Sequence, residues 1–242
     1  MELKSKIILV VGGAAGIGRA TAELCAERGA AVIVADKDEA AGQAVATSIG
    51  GIFIPVDVSN EASVQALYAR ITADYARLDV LLHTAGILLG AHVPLDEFTS
   101  ATFQKVWEIN TLGTFLNAKY ATPLLRRSSR GVMVLVSSGA ATGGSSSFAY
   151  GSSKGGVHAI GIVLANSLAA DNIRVNVLAP GSIDTAMKRS VIAAQVERAG
   201  APEQFEQAVA DSKLGSPQGM AKVLAFLASD DADYVRGVVT TR

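Results

Sequence analysis

The sequence predicts a doubly wound α/β fold of Rossmann type: a parallel sheet of about seven strands with helices on both faces. Three observations carry this expectation. Short β-branched runs alternate with longer amphipathic stretches along the chain. Most of the short runs are apolar at every position, as strands buried on both faces must be. Half of the 242 residues are hydrophobic and only 18% are charged, enough apolar material for a large core.

The first strand, Ile7–Val11, runs into Gly12-Gly13, and a helix follows over Ile17–Arg28 with Gly29 as its stop. Strand Ala31–Ala35 leads to helix Glu39–Ile49, ended by Gly50-Gly51. Strand Ile52–Val56, helix Glu61–Arg77, strand Val80–His83 and a long helix over Phe98–Arg127 come next. Strand Val132–Val136, helix Tyr150–Ala170 and strand Arg174–Leu178 repeat the unit, and helix Pro217–Ala228 with strand Val235–Val239 closes it. Ser182 to Lys213 breaks the rhythm and reads as an insertion over the site, a substrate lid. No linker, internal repeat or low-complexity tract divides residues 1–242, which are expected to form a single domain.

Composition excludes several functions. Lys plus Arg number 21 and Asp plus Glu 22, so the net charge is −1 and no basic surplus exists to neutralise nucleic-acid phosphates. The single cysteine, Cys25, forbids an intramolecular disulfide, fits a reducing compartment and reads as a buried helical thiol. Lys4 and Lys6 before Ile7–Val11 imitate the start of a secretion signal, but glycines cut the apolar run short. No segment approaches the ~20 apolar residues of a membrane helix. A cytoplasmic, soluble protein is expected. His83, His92 and His158 are scattered without acidic or cysteine partners at ligand spacing, so no metal site is expected.

The turn after the first strand, Val11-Gly12-Gly13-Ala14-Ala15-Gly16-Ile17-Gly18-Arg19, opens a helix on bare backbone N–H groups, which suits a pyrophosphate. It is not a P-loop, because Arg19-Ala20 replaces the lysine and the magnesium-binding hydroxyl. What stands is Gly12-x-x-x-Gly16-x-Gly18. Asp36, at the end of the second strand, is placed to accept hydrogen bonds from ribose hydroxyls and to repel a 2′-phosphate. Ala15 offers that phosphate no basic side chain, so NAD is favoured over NADP, with Lys37 a weak counter-argument. Asp57 and Val58 stand at the analogous end of the third strand.

Tyr150 and Lys154 lie at i and i+4, on one helix face. An ammonium about 4 Å from a phenol favours the phenolate by up to ~4 kcal/mol at an effective dielectric near 20. That is roughly two to three pKa units before solvent screening. Such a tyrosine would exchange protons with an alcohol or ketone oxygen.

The glycine spacing, Asp36, His83-Thr84-Ala85-Gly86, Asn110, Ser137-Ser138, Tyr150-x-x-x-Lys154 and Pro180-Gly181 stand in the order and position of one family. Over residues 4 to about 240 the chain resembles the short-chain dehydrogenase/reductases. The resemblance implies Tyr150 as general acid/base, Lys154 as holder of the nicotinamide ribose, Asn110 as anchor of a relay water, and a serine that polarises the substrate oxygen. Strand register selects Ser138 for that serine; the family's usual spacing back from Tyr150 selects Ser137. The resemblance further implies that Gly12, Gly16, Ile17, Gly18, Asp36, Asp57, Val58, Ala85, Gly86, Tyr150, Lys154, Pro180, Gly181, Ile183 and Thr185 hold the cofactor.

Departures from the family pattern also exist. Val11 replaces a threonine whose hydroxyl ties the turn, and His83-Thr84 replaces an asparagine pair, so strand four must pack differently. The sequence ends at Thr240-Thr241-Arg242, before the usual Asp-Gly-Gly, which leaves a C-terminal subunit contact open. By resemblance, the helices Phe98–Arg127 and Tyr150–Ala170 pair across a two-fold axis, implying a homodimer or homotetramer. Trp107 and Phe103 then read as interface or core, and His158 as a buried structural or interface residue.

The expected activity is NAD-dependent interconversion of a secondary alcohol and a ketone. The alternatives are an NADP-dependent ketone or ketoacyl-thioester reductase and a non-catalytic NAD-binding regulator. Leu88, Leu89, Ala140, Ala141, Phe148 and Met187 suggest an apolar substrate pocket; Lys188 and Arg189 could anchor a carboxylate or phosphate, but facing water is the preferred reading.

Overall fold

The computed structural model describes residues 2–241; Arg242 of the C-terminal tripeptide lies outside them. Seven strands form one sheet: β1 (Ile7–Val11), β2 (Ala31–Asp36), β3 (Ile52–Pro55), β4 (Val80–His83), β5 (Gly131–Val136), β6 (Ile173–Ala179) and β7 (Gly237–Thr240). Their order is β3-β2-β1-β4-β5-β6-β7, and every pair is parallel. The helices are α1 (Gly16–Glu27), α2 (Glu39–Ser48), α3 (Glu61–Tyr75), α4 (Ser100–Trp107), α5 (Gly113–Leu125), α6 (Phe148–Ser167), α7 (Ala186–Arg198), α8 (Phe205–Asp211) and α9 (Pro217–Ala228).

Strand alternation divides the core into two layers. Ile7, Leu9 and Val11 of β1 face α3, α5 and α6, while Ile8 and Val10 face α1 and α9. All five are buried. Fully burying one such side chain contributes about 1.5–3 kcal/mol.

The chain leaves β1 toward β2 on one side and returns to place β4 on the other. Connections therefore diverge between β1 and β4, and a crevice opens at their carboxyl ends. Helix starts are set by short polar caps. Asp38 accepts from the Ala41 amide, Asn60 from Ser63 and Ser147 from Tyr150. The last of these fixes Tyr150 in the first turn of α6.

Three expectations change. The long helix over Phe98–Arg127 starts at Ser100 and is interrupted by a π turn at Glu108–Leu112 between α4 and α5. Periodicity alone does not register one extra residue in a turn. The last strand is Gly237–Thr240 rather than Val235–Val239, because Val235 is still in the turn after α9, its amide donating to Ala232. The inserted segment 182–213 resolves into α7 and α8, and its ends are pinned together. Asp184 N donates to the Gly215 carbonyl at 2.8 Å and Gly215 N to that of Ser182 at 2.9 Å. Cys25 is buried as expected, and burial pushes its thiol up to about 12.

Candidate active site

A cavity of about 650 Å³ opens at the carboxyl end of the sheet. Its floor begins at the glycine turn. Gly12 has φ +83, and a Cβ there would lie 2.6 Å from the Ala85 amide nitrogen. A Cβ on Gly18 would lie 2.0 Å from the Gly12 carbonyl oxygen. Only glycine fits at either position. Helix α1 starts at Gly16 with no side-chain cap, so its first-turn N–H groups remain for a ligand.

Thr84 resolves the two departures noted above. Its hydroxyl donates to the Val11 carbonyl at 2.7 Å, with the Gly12 carbonyl at 3.2 Å, so β4 ties the turn that Val11 itself cannot. His83, beside it, is wholly buried with Nδ1 3.4 Å from the Thr114 hydroxyl. Burial, and then the nearby Lys154 charge, push its pKa down to about 3, so it is neutral.

Asp36 sits at the far end of the cavity from Tyr150's helix. Its Oδ2 accepts from the Ala14 amide at 3.1 Å and its Oδ1 from the Asp38 amide at 3.2 Å, which aims the carboxylate at the turn. Asp57 accepts from the Ser59 hydroxyl at 2.6 Å, and that bond holds its carboxyl below the usual range.

At the other end, Ser138 and Tyr150 line the cavity together; the Ser138 hydroxyl accepts from the Ala140 amide at 3.1 Å, and the Tyr150 amide is held by Ser147. Ser137 faces away: its hydroxyl donates to the Lys154 carbonyl at 2.8 Å. Alternation at the end of β5 thus turns the two hydroxyls in different directions. Lys154 Nζ lies 5.9 Å from the Tyr150 ring centroid and donates to the Val136 carbonyl at 2.8 Å.

The expected depression of the tyrosine pKa is absent. Burial raises Tyr150 above its usual value, and the Ser138 hydroxyl only partly offsets this. Burial also lowers Lys154 to about 8. The estimate for an ammonium about 4 Å away ignored desolvation, which here outweighs attraction between two buried groups.

Asn110, in the π turn, does not line the cavity. Its Oδ1 accepts from the Ile87 amide at 2.8 Å, and its Nδ2 donates to the Ile87 carbonyl at 2.9 Å and to Ser153 at 3.0 Å. It clamps the segment after β4 to α6. Its carbonyl accepts from the Thr114 hydroxyl at 2.6 Å.

Comparison with known proteins agrees with this geometry. A family model described as enoyl-(acyl carrier protein) reductase matches residues 12–241. Tropinone reductase-like 2 of Erythroxylum coca is 36% identical over 98% of this chain and 88% of its own. The chain is a short-chain dehydrogenase/reductase. The cis-4-hydroxycyclohexanecarboxylate dehydrogenase of Sinomonas cyclohexanicum is 37% identical over 97% of this chain and 93% of its own. The crystal structure of levodione reductase superposes with a TM-score of 0.90 at 30% identity, covering 98% of this chain and 96% of that one. Relatives of this short-chain dehydrogenase/reductase are dehydrogenases and reductases, and it is an oxidoreductase that uses a nicotinamide cofactor.

All fifteen residues expected at the cofactor line the one cavity, from Gly12, Gly16, Ile17 and Gly18 to Pro180, Gly181, Ile183 and Thr185. The bare helix start and the glycine cradle fit a dinucleotide. The substrate end differs from expectation. Leu88, Ala140 and Met187 line it, whereas Leu89 and Phe148 are exposed and Ala141 lies outside. Phe148 precedes Tyr150 by two residues, about 200° around a helix, and packs edge-on against Phe98 at 5.7 Å. Lys188 lines the cavity, while Arg189 makes a two-pronged pair with Asp184 at 2.7 and 3.0 Å.

Among the described residues no helix is long and apolar enough to cross a membrane, and no group of His, Cys, Asp or Glu could hold a metal ion.

Proposed function

We propose that this short-chain dehydrogenase/reductase is an NAD-dependent enzyme interconverting a secondary alcohol and a ketone, with Tyr150 as general acid/base. The observation that carries this reading is that Tyr150, Ser138 and Lys154 line one end of a cavity whose other end is marked by Asp36. In the reducing direction Tyr150 donates its proton to the substrate oxygen, while the Ser138 hydroxyl donates a hydrogen bond to the same atom. The raised pKa of Tyr150 keeps it protonated at neutral pH, ready to serve as the acid; in oxidation the proton returns. Lys154, at about 8, exchanges its proton near neutral pH and is the group behind Tyr150 that restores its charge state. Asn110 acts by clamping the segment after β4 against α6.

The residues that would hold the cofactor are Gly12, Gly16 and Gly18 at the start of α1 and Ala85 and Gly86 facing them. Asp57 and Val58 would meet its adenine end, and Pro180, Gly181, Ile183 and Thr185 its nicotinamide end. When bound, it supplies the hydride donor or acceptor. The Asp36 carboxylate and the small Ala15 support NAD. Lys37 and Lys105, which line the same end, favour NADP(H), but neither removes the Asp36 charge from the ribose.

The substrate is a small alcohol or ketone. Leu88, Ala140, Met187 and Val191 supply an apolar wall, and relatives named for tropinone, cis-4-hydroxycyclohexanecarboxylate and levodione favour a compact cyclic one. The segment 182–213 acts as a lid. Leu112, Phe115, Ile162 and Val163 form an exposed apolar face that supports a homodimer or homotetramer. No nucleic acid or membrane is involved, and the enzyme works in the cytoplasm as one domain.

The test is a screen of cyclic and acyclic ketones with NADH and NADPH. Reduction with NADH at a kcat/KM at least tenfold above that with NADPH supports the reading, a gap of about 1.4 kcal/mol. Equal rates would remove the role given to Asp36, and turnover of nothing in either direction would restore the regulator.

A further inference from the structure

We infer that Lys188 is a specificity-determining residue that holds a carboxylate carried by the substrate, remote from the oxygen that reacts. The inference rests on the reading of the cavity as a ketone and alcohol site, and adds a charge to that substrate. Lys188 is half-buried and lines the cavity that holds Tyr150 and Ser138. Among the described residues its ammonium has neither an ion-pair nor a hydrogen-bond partner.

The missing partner is a matter of placement. Lys188 stands in the first turn of α7, where its amide donates to the Thr185 hydroxyl at 3.3 Å. A cation there meets the positive end of the helix dipole, which disfavours it. Arg189 follows at once, and its charge is answered inside the protein. Asp184 takes both prongs of its guanidinium, at 2.7 and 3.0 Å. Asp184 is also the acid nearest to Lys188 along the chain, so Arg189 occupies the group that would otherwise neutralise Lys188. The carboxylates that line the cavity do not replace it. They are Asp36 and Asp57, both at the end assigned to adenosine. The reacting end carries Lys154 and Lys188 with no carboxylate, and the Lys154 ammonium is turned inward to the Val136 carbonyl.

The chemistry follows from the surroundings. Lys188, Val191 and Gln195 recur at helical spacing and form one stripe of α7 along the cavity wall. Leu88, Ala140 and Met187 add apolar surface. An ammonium beside such walls attracts an anion more strongly than one in open water. A lone ammonium suits a monoanion. A phosphate calls for several converging donors, and the uncapped start of α1 already offers those to the cofactor. The substrate class is therefore a compact oxo acid, or the matching hydroxy acid, whose apolar frame separates the carboxylate from the reacting carbon.

The probes are 4-oxocyclohexanecarboxylate and its methyl ester, reduced with NADH at neutral pH by the full-length protein, Lys188→Gln and Lys188→Arg. The ester keeps the ring and the ketone and removes the charge. Glutamine removes the charge from the protein, and arginine restores it. The ammonium makes no bond inside the protein, so both substitutions spare the fold. The readout is the ratio of kcat/KM for acid over ester, and comparing it across variants cancels the intrinsic reactivity of the two ketones. The expected result is a wild-type ratio well above one, falling about tenfold in Lys188→Gln and recovering in Lys188→Arg. The KM for NADH should stay the same in all three. An unchanged ratio in Lys188→Gln, a wild-type ratio at or below one, or reduction of neither compound would overturn the inference. So would a raised KM for NADH with acid and ester slowed equally, which would assign the ammonium to the cofactor's pyrophosphate. Tyr150→Phe separates the two levels. If it abolishes reduction of both compounds while the ratio ignores Lys188, the acid/base reading stands and Lys188 falls. If it matches the wild type, the reading itself fails.

Discussion

Replacing Lys154 with methionine should make the protein more stable at neutral pH while abolishing turnover. The Lys154 ammonium is buried, 3% exposed, and among the described residues its hydrogen-bond partner is the Val136 carbonyl. Folding moves its pKa from 10.5 down to about 8, so the native state binds this proton less tightly than the unfolded chain. Below pH 8 both states carry the charge, and the native state bears a cost of roughly 3 kcal/mol, the shift of about 2.5 units converted at 1.36 kcal/mol each. Between about pH 8 and 10.5 the unfolded state holds more protons, so stability rises with pH across that window. Methionine removes the charge but leaves the Val136 carbonyl unpaired, which costs about 1–3 kcal/mol. The net gain at pH 7 is therefore about 1 kcal/mol, or about 2–4 °C in Tm. The pH dependence is the sharper test, because the unpaired carbonyl does not titrate. The stability difference between the two proteins should shift by about 2 kcal/mol in favour of the wild type between pH 7 and about pH 9.5. Urea unfolding of both proteins at the two pH values measures it. A difference that stays constant with pH would refute the argument that Lys154 is buried as an ammonium.

Ser138→Ala should lower turnover roughly a hundredfold or more, the loss typical of a transition-state hydrogen-bond donor, with NADH affinity unchanged by calorimetry. Ser137→Ala should retain most turnover and lose some stability, since its hydroxyl bonds to the Lys154 carbonyl; the reverse pattern in steady-state kinetics would reassign the serine. Light scattering at micromolar protein should report a dimer or tetramer, and Phe115→Glu, placed on the exposed apolar face, should shift it toward monomer. A wild-type monomer would contradict that face as an interface.

Much of the site is legible in the sequence because it hangs on strand ends and first helical turns. There a residue's neighbours decide its direction. Gly12, Asp36 and Tyr150 each follow or precede a strand or helix whose period is plain, and all three line the cavity. Strand register likewise anticipates that the Ser137 and Ser138 hydroxyls point in different directions, with that of Ser137 donating to the Lys154 carbonyl. What the sequence hides is tertiary. Asn110 stands on a long helix in the periodicity, but the π turn and its bonds to Ile87 and Ser153 arise only when α4, α5 and α6 pack. Thr84 repairs the loss of a hydroxyl at Val11 from 73 residues away in the chain. The two substitutions were both visible as departures, and reading them as a compensating pair was the available signal. Phe148 is exposed instead of lining the pocket, because i and i+2 lie about 200° apart on a helix and Tyr150 takes the inward face. Tyr150 misled in charge rather than place. A pair interaction was counted without the burial that opposes it.

The central claim is that Tyr150 moves the proton in an NAD-dependent oxidoreduction, and Tyr150→Phe tests it most directly. The substitution keeps the ring that lines the cavity and removes only the hydroxyl. Wild type and variant are compared for ketone reduction by the loss of NADH absorbance, with NADH affinity measured on the same preparations. Turnover nearly abolished with NADH affinity preserved is the predicted result. A variant that binds NADH and reduces the ketone at the wild-type rate would contradict the account.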